Sequence, residues 1–223
     1  MNLQTIIAQL QSQPTGLAFD IDDTLSSTSD GYFDLLNQNH PAPTYLTKEL
    51  FRKKYALTGE VTHWRSIQDA FDLLISKVNC PKFHYQLPPF PNAVYHANIL
   101  NEHNLFSCYL TARKEDMREL TQRWLNEHNF PQKPLIMRPD NIDFLSKHKE
   151  WKADTLHALH PYVTGLIDND TRILSHLQQQ SYPGHLYLFG LSEHEYNGNG
   201  SITVRETWPE MANVILNNKR KKC

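Results

Sequence analysis

Cysteine is scarce in this chain of 223 residues: three, Cys80, Cys108 and Cys223, odd in number and without paired spacing. That excludes a disulfide framework and a Cys-type zinc site, and it points to a reducing compartment. No apolar run approaches the length of a membrane span, so no membrane partner is expected. The start, Met1 to Leu10, lacks the basic residues, long apolar core and small-residue cleavage site of a secretory signal. It reads as a short amphipathic helix, and a cytoplasmic location is expected. Charge of one sign is missing too. Lys and Arg number 22 against 24 Asp and Glu, a net charge of −2, which speaks against a molecule built to attract nucleic acid. No internal repeat is present. The basic end, Asn217 to Cys223, reads as a solvated, frayed tail.

What remains is an ordinary globular composition, 39% apolar and 11% aromatic, in a chain long enough for one domain with a modest insert. Short apolar runs alternate with helical patterns. Strands are expected at Leu17–Ile21, Leu105–Leu110, Leu135–Met137, Val163–Ile167, Leu186–Phe189 and Ile202–Val204. Helices are expected at Lys114–Asn129, where Met117, Leu120, Trp124 and Leu125 share a face, at Trp151–Leu159 and at Thr171–Gln180. This alternation implies an α/β fold, a mostly parallel sheet with helices on both faces.

The stretch from Ser26 to Leu87 breaks that rhythm. It shows helix signals at Tyr32–Gln38, Thr47–Leu57 and His63–Val78, the last with Trp64, Ile67, Phe71, Leu74, Ile75 and Val78 on one stripe. Pro88, Pro89 and Pro91 then read as a stiff return. The expected division is a core of residues 1–25 and 88–223 with a small all-helical cap, residues 26–87, inserted after the first strand.

Chemistry concentrates at the strand ends, where open α/β sheets bind ligands. The first strand runs into Asp20-Ile21-Asp22-Asp23-Thr24. Clustered carboxylates repel, and burying them is costly unless a cation compensates. Hard oxygen ligands at this spacing suit Mg²⁺, which also binds substrate phosphate. The second strand ends in Leu110-Thr111-Ala112-Arg113 and the fourth in Ile167-Asp168-Asn169-Asp170, with Lys152 in the helix ahead of it. The twelve histidines, His157 and His160 among them, lack the Cys or Glu partners of a metal site and read as surface residues.

These segments, in this order, resemble the four motifs of the haloacid dehalogenase superfamily of phosphatases and phosphotransferases. Phe19-Asp20-Ile21-Asp22-Asp23-Thr24-Leu25 is similar to the first motif, Tyr109-Leu110-Thr111-Ala112-Arg113 to the second, Lys152 to the third and Ile167-Asp168-Asn169-Asp170 to the fourth. The resemblance implies a Rossmann-like core with a helical cap of the first kind. It also implies a Mg²⁺-dependent phosphomonoesterase acting on a small phosphorylated substrate. Asp20 would be the nucleophile, forming an aspartyl-phosphate, and Asp22 the acid and base. Thr111 and the Ala112 amide would hold phosphoryl oxygens. Arg113 reads either as a solvent ion pair or as a clamp on phosphate or substrate. Lys152 would neutralise charge, and Asp168 would hold Mg²⁺ with Asp20 and the Asp22 carbonyl. Spacing to Asp168 favours Lys152 over Lys147 and Lys149. The family's fourth motif carries adjacent acids or acids further apart, so Asp170 is open between holding a metal-bound water and capping a helix.

The start of the chain, with Ser26-Ser27 and Tyr32-Phe33, is similar to the class B acid phosphatases, which favour nucleotides. The segment from Leu110 through Trp124-Leu125 to Ile136-Met137-Arg138-Pro139 looks instead like the phosphatase half of polynucleotide end-healing enzymes, whose substrate is a 3′-phosphate end. That alternative requires a basic channel. A catalytically silent binding protein of the same fold is a third possibility, set against the presence of Asp20, Asp22, Thr111 and Lys152. Phosphotransfer to an alcohol instead of water stays open.

Overall fold

A computed structural model describes residues 3–55, 58–191 and 201–220. The chain opens with α1 (Leu3–Gln11), which buries Ile6 and Leu10 one turn apart, and enters β1 (Gly16–Phe19). Five helices follow: α2 (Thr28–Asn39), α3 (Lys48–Lys54), α4 (Thr62–Arg65), α5 (Gln68–Val78) and α6 (Pro81–Tyr85). The remainder alternates: α7 (Ala93–Glu102), β2 (Phe106–Lys114), α8 (Arg118–Glu127), β3 (Leu135–Arg138), α9 (His148–Leu159), β4 (Val163–Asp168) and α10 (Leu174–Gln179). β5 (His185–Phe189), β6 (Ile202–Arg205) and α11 (Trp208–Arg220) complete it.

The six strands form one parallel sheet in the order β3-β2-β1-β4-β5-β6. Alternation of side chains along each strand feeds two apolar layers. Leu17 and Phe19 of β1 face a layer that includes Ala97, Trp124 and Met211 of α7, α8 and α11. Ala18, Cys108, Leu110 and Leu166 face the other, built by α1, α9 and α10. Each fully buried side chain the size of Leu or Phe contributes roughly 1.5–3 kcal/mol, so these layers hold the sheet. β1 starts with glycine because a Cβ at Gly16 would sit 2.7 Å from the Leu105 carbonyl carbon. No helix among the described residues is long and apolar enough to cross a membrane.

The helices between β1 and α7 share a third apolar cluster. Phe33, Leu36, Phe51, Trp64, Ala70 and Leu74 pack together, and the Trp64 indole donates to the His40 carbonyl at 2.8 Å. The two segments that join these helices to the sheet run side by side: Ser27 N–H donates to the Pro88 carbonyl at 3.0 Å and Phe90 N–H to Leu25 at 2.7 Å. Two indoles brace them, Trp208 donating to the Thr24 carbonyl at 2.8 Å and Trp124 to that of Leu87 at 2.7 Å.

Several expectations need correction. The helix expected over His63–Val78 breaks at Ser66 and Ile67, whose N–H groups turn back to Thr62 and Trp64, so α4 and α5 are separate. The helix over Thr47–Leu57 begins as expected, with the Thr47 hydroxyl accepting from Leu50 N–H, but ends at Lys54; Ala56 and Leu57 lie outside the described residues. β1 stops at Phe19, two residues short of Ile21, while β2 runs past Leu110 to Lys114. The helix expected from Lys114 therefore starts only at Arg118, after a tight turn. The basic end is helical to Arg220, with the Lys219 ammonium on the His103 carbonyl; Lys221, Lys222 and Cys223 lie outside the described residues. Helices α6, α7 and α11 were not expected at all.

Candidate active site

The order of the sheet reverses at β1, which pairs with β2 on one side and β4 on the other. Ligands in open α/β sheets lie at such a switch point, beyond the carboxyl ends of the strands. Asp20 follows β1 and Asp168 ends β4, and Asp20 N–H still donates to the Ile167 carbonyl at 2.9 Å. Alternation puts Asp20 on the side of Ala18 and Asp168 on the side of Leu166, the face that α9 covers. Lys152 projects from α9 into this spot. Its ammonium lies 2.6 Å from Asp20 Oδ1 and 2.7 Å from Asp168 Oδ2.

All three groups are buried: Asp20, Asp168 and Lys152 are 4%, 1% and 5% exposed. Two carboxylates sharing one ammonium leave this cluster with an excess negative charge. Burial pushes the Asp20 carboxyl well above its usual range; Lys152 opposes that, and the charges of Asp168 and Asp22 add to it. Burial also works against the Lys152 charge, but Asp168 and Asp20 outweigh it and hold the ammonium protonated. Such a site favours a hard cation, and the available ligands are oxygens. Asp20 and Asp168 fit a Mg²⁺ site in which each is held at a strand end. Among the described residues no three metal-ligating side chains gather.

Asp22 lies under a network of its own. Arg113 Nη2 and Nε donate to its Oδ1 and Oδ2 at 2.9 and 3.1 Å, Thr28 donates at 2.7 Å, and His84 Nδ1 approaches to 3.3 Å. Burial works to raise the Asp22 pKa, but the Arg113 charge and the His84 and Arg113 contacts outweigh it and hold the carboxyl well below the usual range. Arg113 sits here because β2 leaves its register with β3 between Thr111 and Lys114. Such a bulge re-aims side chains beside a site. Thr111 is fully buried; its hydroxyl accepts from Arg113 N–H at 3.2 Å, and it does not line the cavity, whereas Ala112 and Arg113 do.

Asp23 adopts the left-handed conformation, φ 57°, and accepts from Ser29 N–H and Ser29 Oγ, both at 2.6 Å. It thus caps α2 from across the turn. Burial, opposed by those bonds, pushes its carboxyl up to about 7. Asp170 makes the capping contact. It accepts from Arg172 N–H at 2.9 Å at the start of the turn before α10 and pairs with the Arg172 guanidinium at 2.6 Å.

Asp20, Asp22, Lys152 and Asp168 line a single cavity of about 300 Å³ between the sheet edge and α5. Its sequence-unexpected members include His84, Thr28 and Arg172. Pro81 at the first helical position signals α6, which carries His84. No sequence signal brings His84 to Asp22, 62 positions earlier.

No protein-family model matches the chain, and no curated protein matches it. Solved structures do. It is similar to a putative haloacid dehalogenase-like hydrolase from Bacteroides fragilis, with a TM-score of 0.56 and 13% identity over 89% of this chain and 100% of that one. It is similar to the putative hydrolase YfnB of that superfamily from Bacillus subtilis, a structure bound to magnesium. There the TM-score is 0.50, with 12% identity over 92% and 99% of the two chains. A chain of the Pnkp1/Rnl/Hen1 complex aligns at a TM-score of 0.47 and 15% identity; 80% of the present chain spans 46% of that chain's length. The first two likenesses show a haloacid dehalogenase-like fold.

Proposed function

We propose that the chain is a phosphomonoesterase for small organic phosphates, with Asp20 as nucleophile. The observation that carries this reading is the Lys152 ammonium between Asp20 and Asp168, at 2.6 and 2.7 Å, on the switch point of the sheet. Asp20 attacks phosphorus in line with the ester oxygen, which leaves as the alcohol. An aspartyl-phosphate forms, and water then cleaves it. Phosphoryl transfer of this kind depends on positioning and charge neutralisation. Lys152 supplies one positive charge next to both the nucleophile and the incoming phosphate. Mg²⁺ held by Asp20, Asp168 and the Asp22 carbonyl would supply the rest, neutralising charge between carboxylate and phosphate.

The Ala112 amide and Arg113 are the phosphate-binding groups in this reading; Thr111 supports them through the Arg113 N–H. Asp22 serves as acid and base once its grip on Arg113 loosens. A phosphate dianion competes with Asp22 for that guanidinium, and with Arg113 drawn away the carboxyl rises toward a range in which it can carry the proton to the leaving oxygen. Residues 26–87 act as the cap and 1–25 with 88–223 as the core, with Thr28 and His84 carrying the cap's contact to Asp22.

The test is turnover of p-nitrophenyl phosphate and simple monoesters with Mg²⁺. Asp20→Asn should lose at least about 10³-fold in kcat with an unchanged circular dichroism spectrum. A folded, Mg²⁺-replete wild-type protein without turnover overturns the reading.

A further inference from the structure

The cavity over Asp20 and Asp168 has a second half that the chemistry above does not use. Its lining includes Phe71, Ile75 and Val78 of α5 and Leu145 of the loop before α9. Leu74 of the same helix is buried in the cap cluster. Phe71 and Ile75, one turn apart, are instead 41% and 38% exposed, and Leu145 is 69% exposed. Large apolar side chains from two segments therefore stand against water in one cavity, the cavity that the carboxylates also line. At the cap end Thr58 lines the same space, and its buried hydroxyl has no hydrogen-bond partner.

Such walls offer little to the hydroxyls of a sugar or glycerol. Of the cavity's two arginines, Arg113 is assigned to the transferred phosphate itself and Arg172 is paired with Asp170, so they do not form a track for a polyanion. An apolar group seated between α5 and Leu145 removes that surface from water, which is the favourable term here. We propose that the substrate's leaving group is apolar: a phosphomonoester of an aryl-alkyl or branched-alkyl alcohol that fits about 300 Å³, with one hydrogen-bonding atom reaching Thr58. This rests on the phosphomonoesterase reading and names the substrate class of the same site.

Non-hydrolysable phosphonates separate the two claims. Calorimetry on the Mg²⁺-loaded protein would compare methylphosphonate, 2,3-dihydroxypropylphosphonate and 2-phenylethylphosphonate. The phenylethyl compound should bind at least about tenfold tighter than the dihydroxypropyl one. The double variant Phe71→Ser with Ile75→Ser, both at exposed positions, should lose most of that gain. Affinity indifferent to the organic group, or a gain that survives in the double variant, overturns the inference and leaves the phosphate site standing. Failure of all three phosphonates to bind overturns both.

Discussion

Arg113 grips Asp22 with two nitrogens, Nη2 to Oδ1 at 2.9 Å and Nε to Oδ2 at 3.1 Å, across 91 positions of sequence. The guanidinium is buried, and the carboxylate side chain is 26% exposed. The pair sits within reach of the Asp20–Lys152–Asp168 cluster, so each acid at the cavity floor has a different charge environment. Asp22 is held ionised, while Asp20 is pushed the other way by burial and by its acidic neighbours. Both shifts run against the proposed roles of nucleophile and proton carrier, so on that reading a cation at Asp20 and a phosphate that draws Arg113 from Asp22 must reverse them before transfer.

Arg113→Met leaves the Asp22 carboxylate without its main partner. At pH 7 the variant should be about 2 kcal/mol less stable, discounted from a fully buried pair because Asp22 is partly open to solvent. A folded-state pKa below the unfolded value stabilises fully above the ordinary carboxylate range, and that contribution is lost as pH falls through the lower value. The gap between wild type and variant should therefore close in acid. Urea midpoints at pH 7 and pH 3 check this; equal midpoints at pH 7 would assign the pair no net contribution.

Lys152→Met strands Asp20 and Asp168 together in a buried site. It should cost about 3–5 kcal/mol. On the proposed reading Mg²⁺ binds the folded state and compensates the same charges, so added Mg²⁺ should raise the melting temperature of the variant more than that of wild type. Thermal melts over a Mg²⁺ series read this directly, and identical Mg²⁺ responses in the two proteins would argue against a cation at these carboxylates.

Asp168→Ala removes one of the two proposed carboxylate ligands and leaves Lys152 with Asp20. Mg²⁺ affinity, measured by calorimetry without substrate, should fall at least about tenfold. An unchanged binding isotherm would give Asp168 a purely structural role.

Asp23→Asn tests the carboxyl that burial lifts to about 7. The unfolded chain releases this proton near pH 4, whereas the folded chain keeps it until about 7. Across that window wild-type stability contributed by Asp23 falls as pH rises. The amide oxygen still accepts from Ser29, so the variant should fold and show a flatter profile between pH 5 and pH 7. Denaturation midpoints at both values decide it, and parallel profiles would place the titration elsewhere.

The acid after β1 was readable because strand alternation is local. Ala18 and Asp20 share a face by period two, as do Leu166 and Asp168, and the apolar runs around them mark the strands. Lys152 was readable from its spacing to Asp168 within one α9–β4 unit. The broken helix at Ser66, the extension of β2 through Arg113, and α6 with His84 were not. Short apolar stretches there are compatible with more than one local structure, and packing chose between them.

From sequence alone came the sheet, its acidic strand ends and the lysine beside them, since each depends on patterns spanning a few residues to one helix. Only the tertiary structure decided that Arg113 and His84 hold Asp22, that Asp170 caps a turn, and that α5 leaves Phe71 and Ile75 over the cavity. Those contacts join segments tens of residues apart. Their geometry follows from how the helices after β1 pack on the sheet edge, which no local pattern encodes.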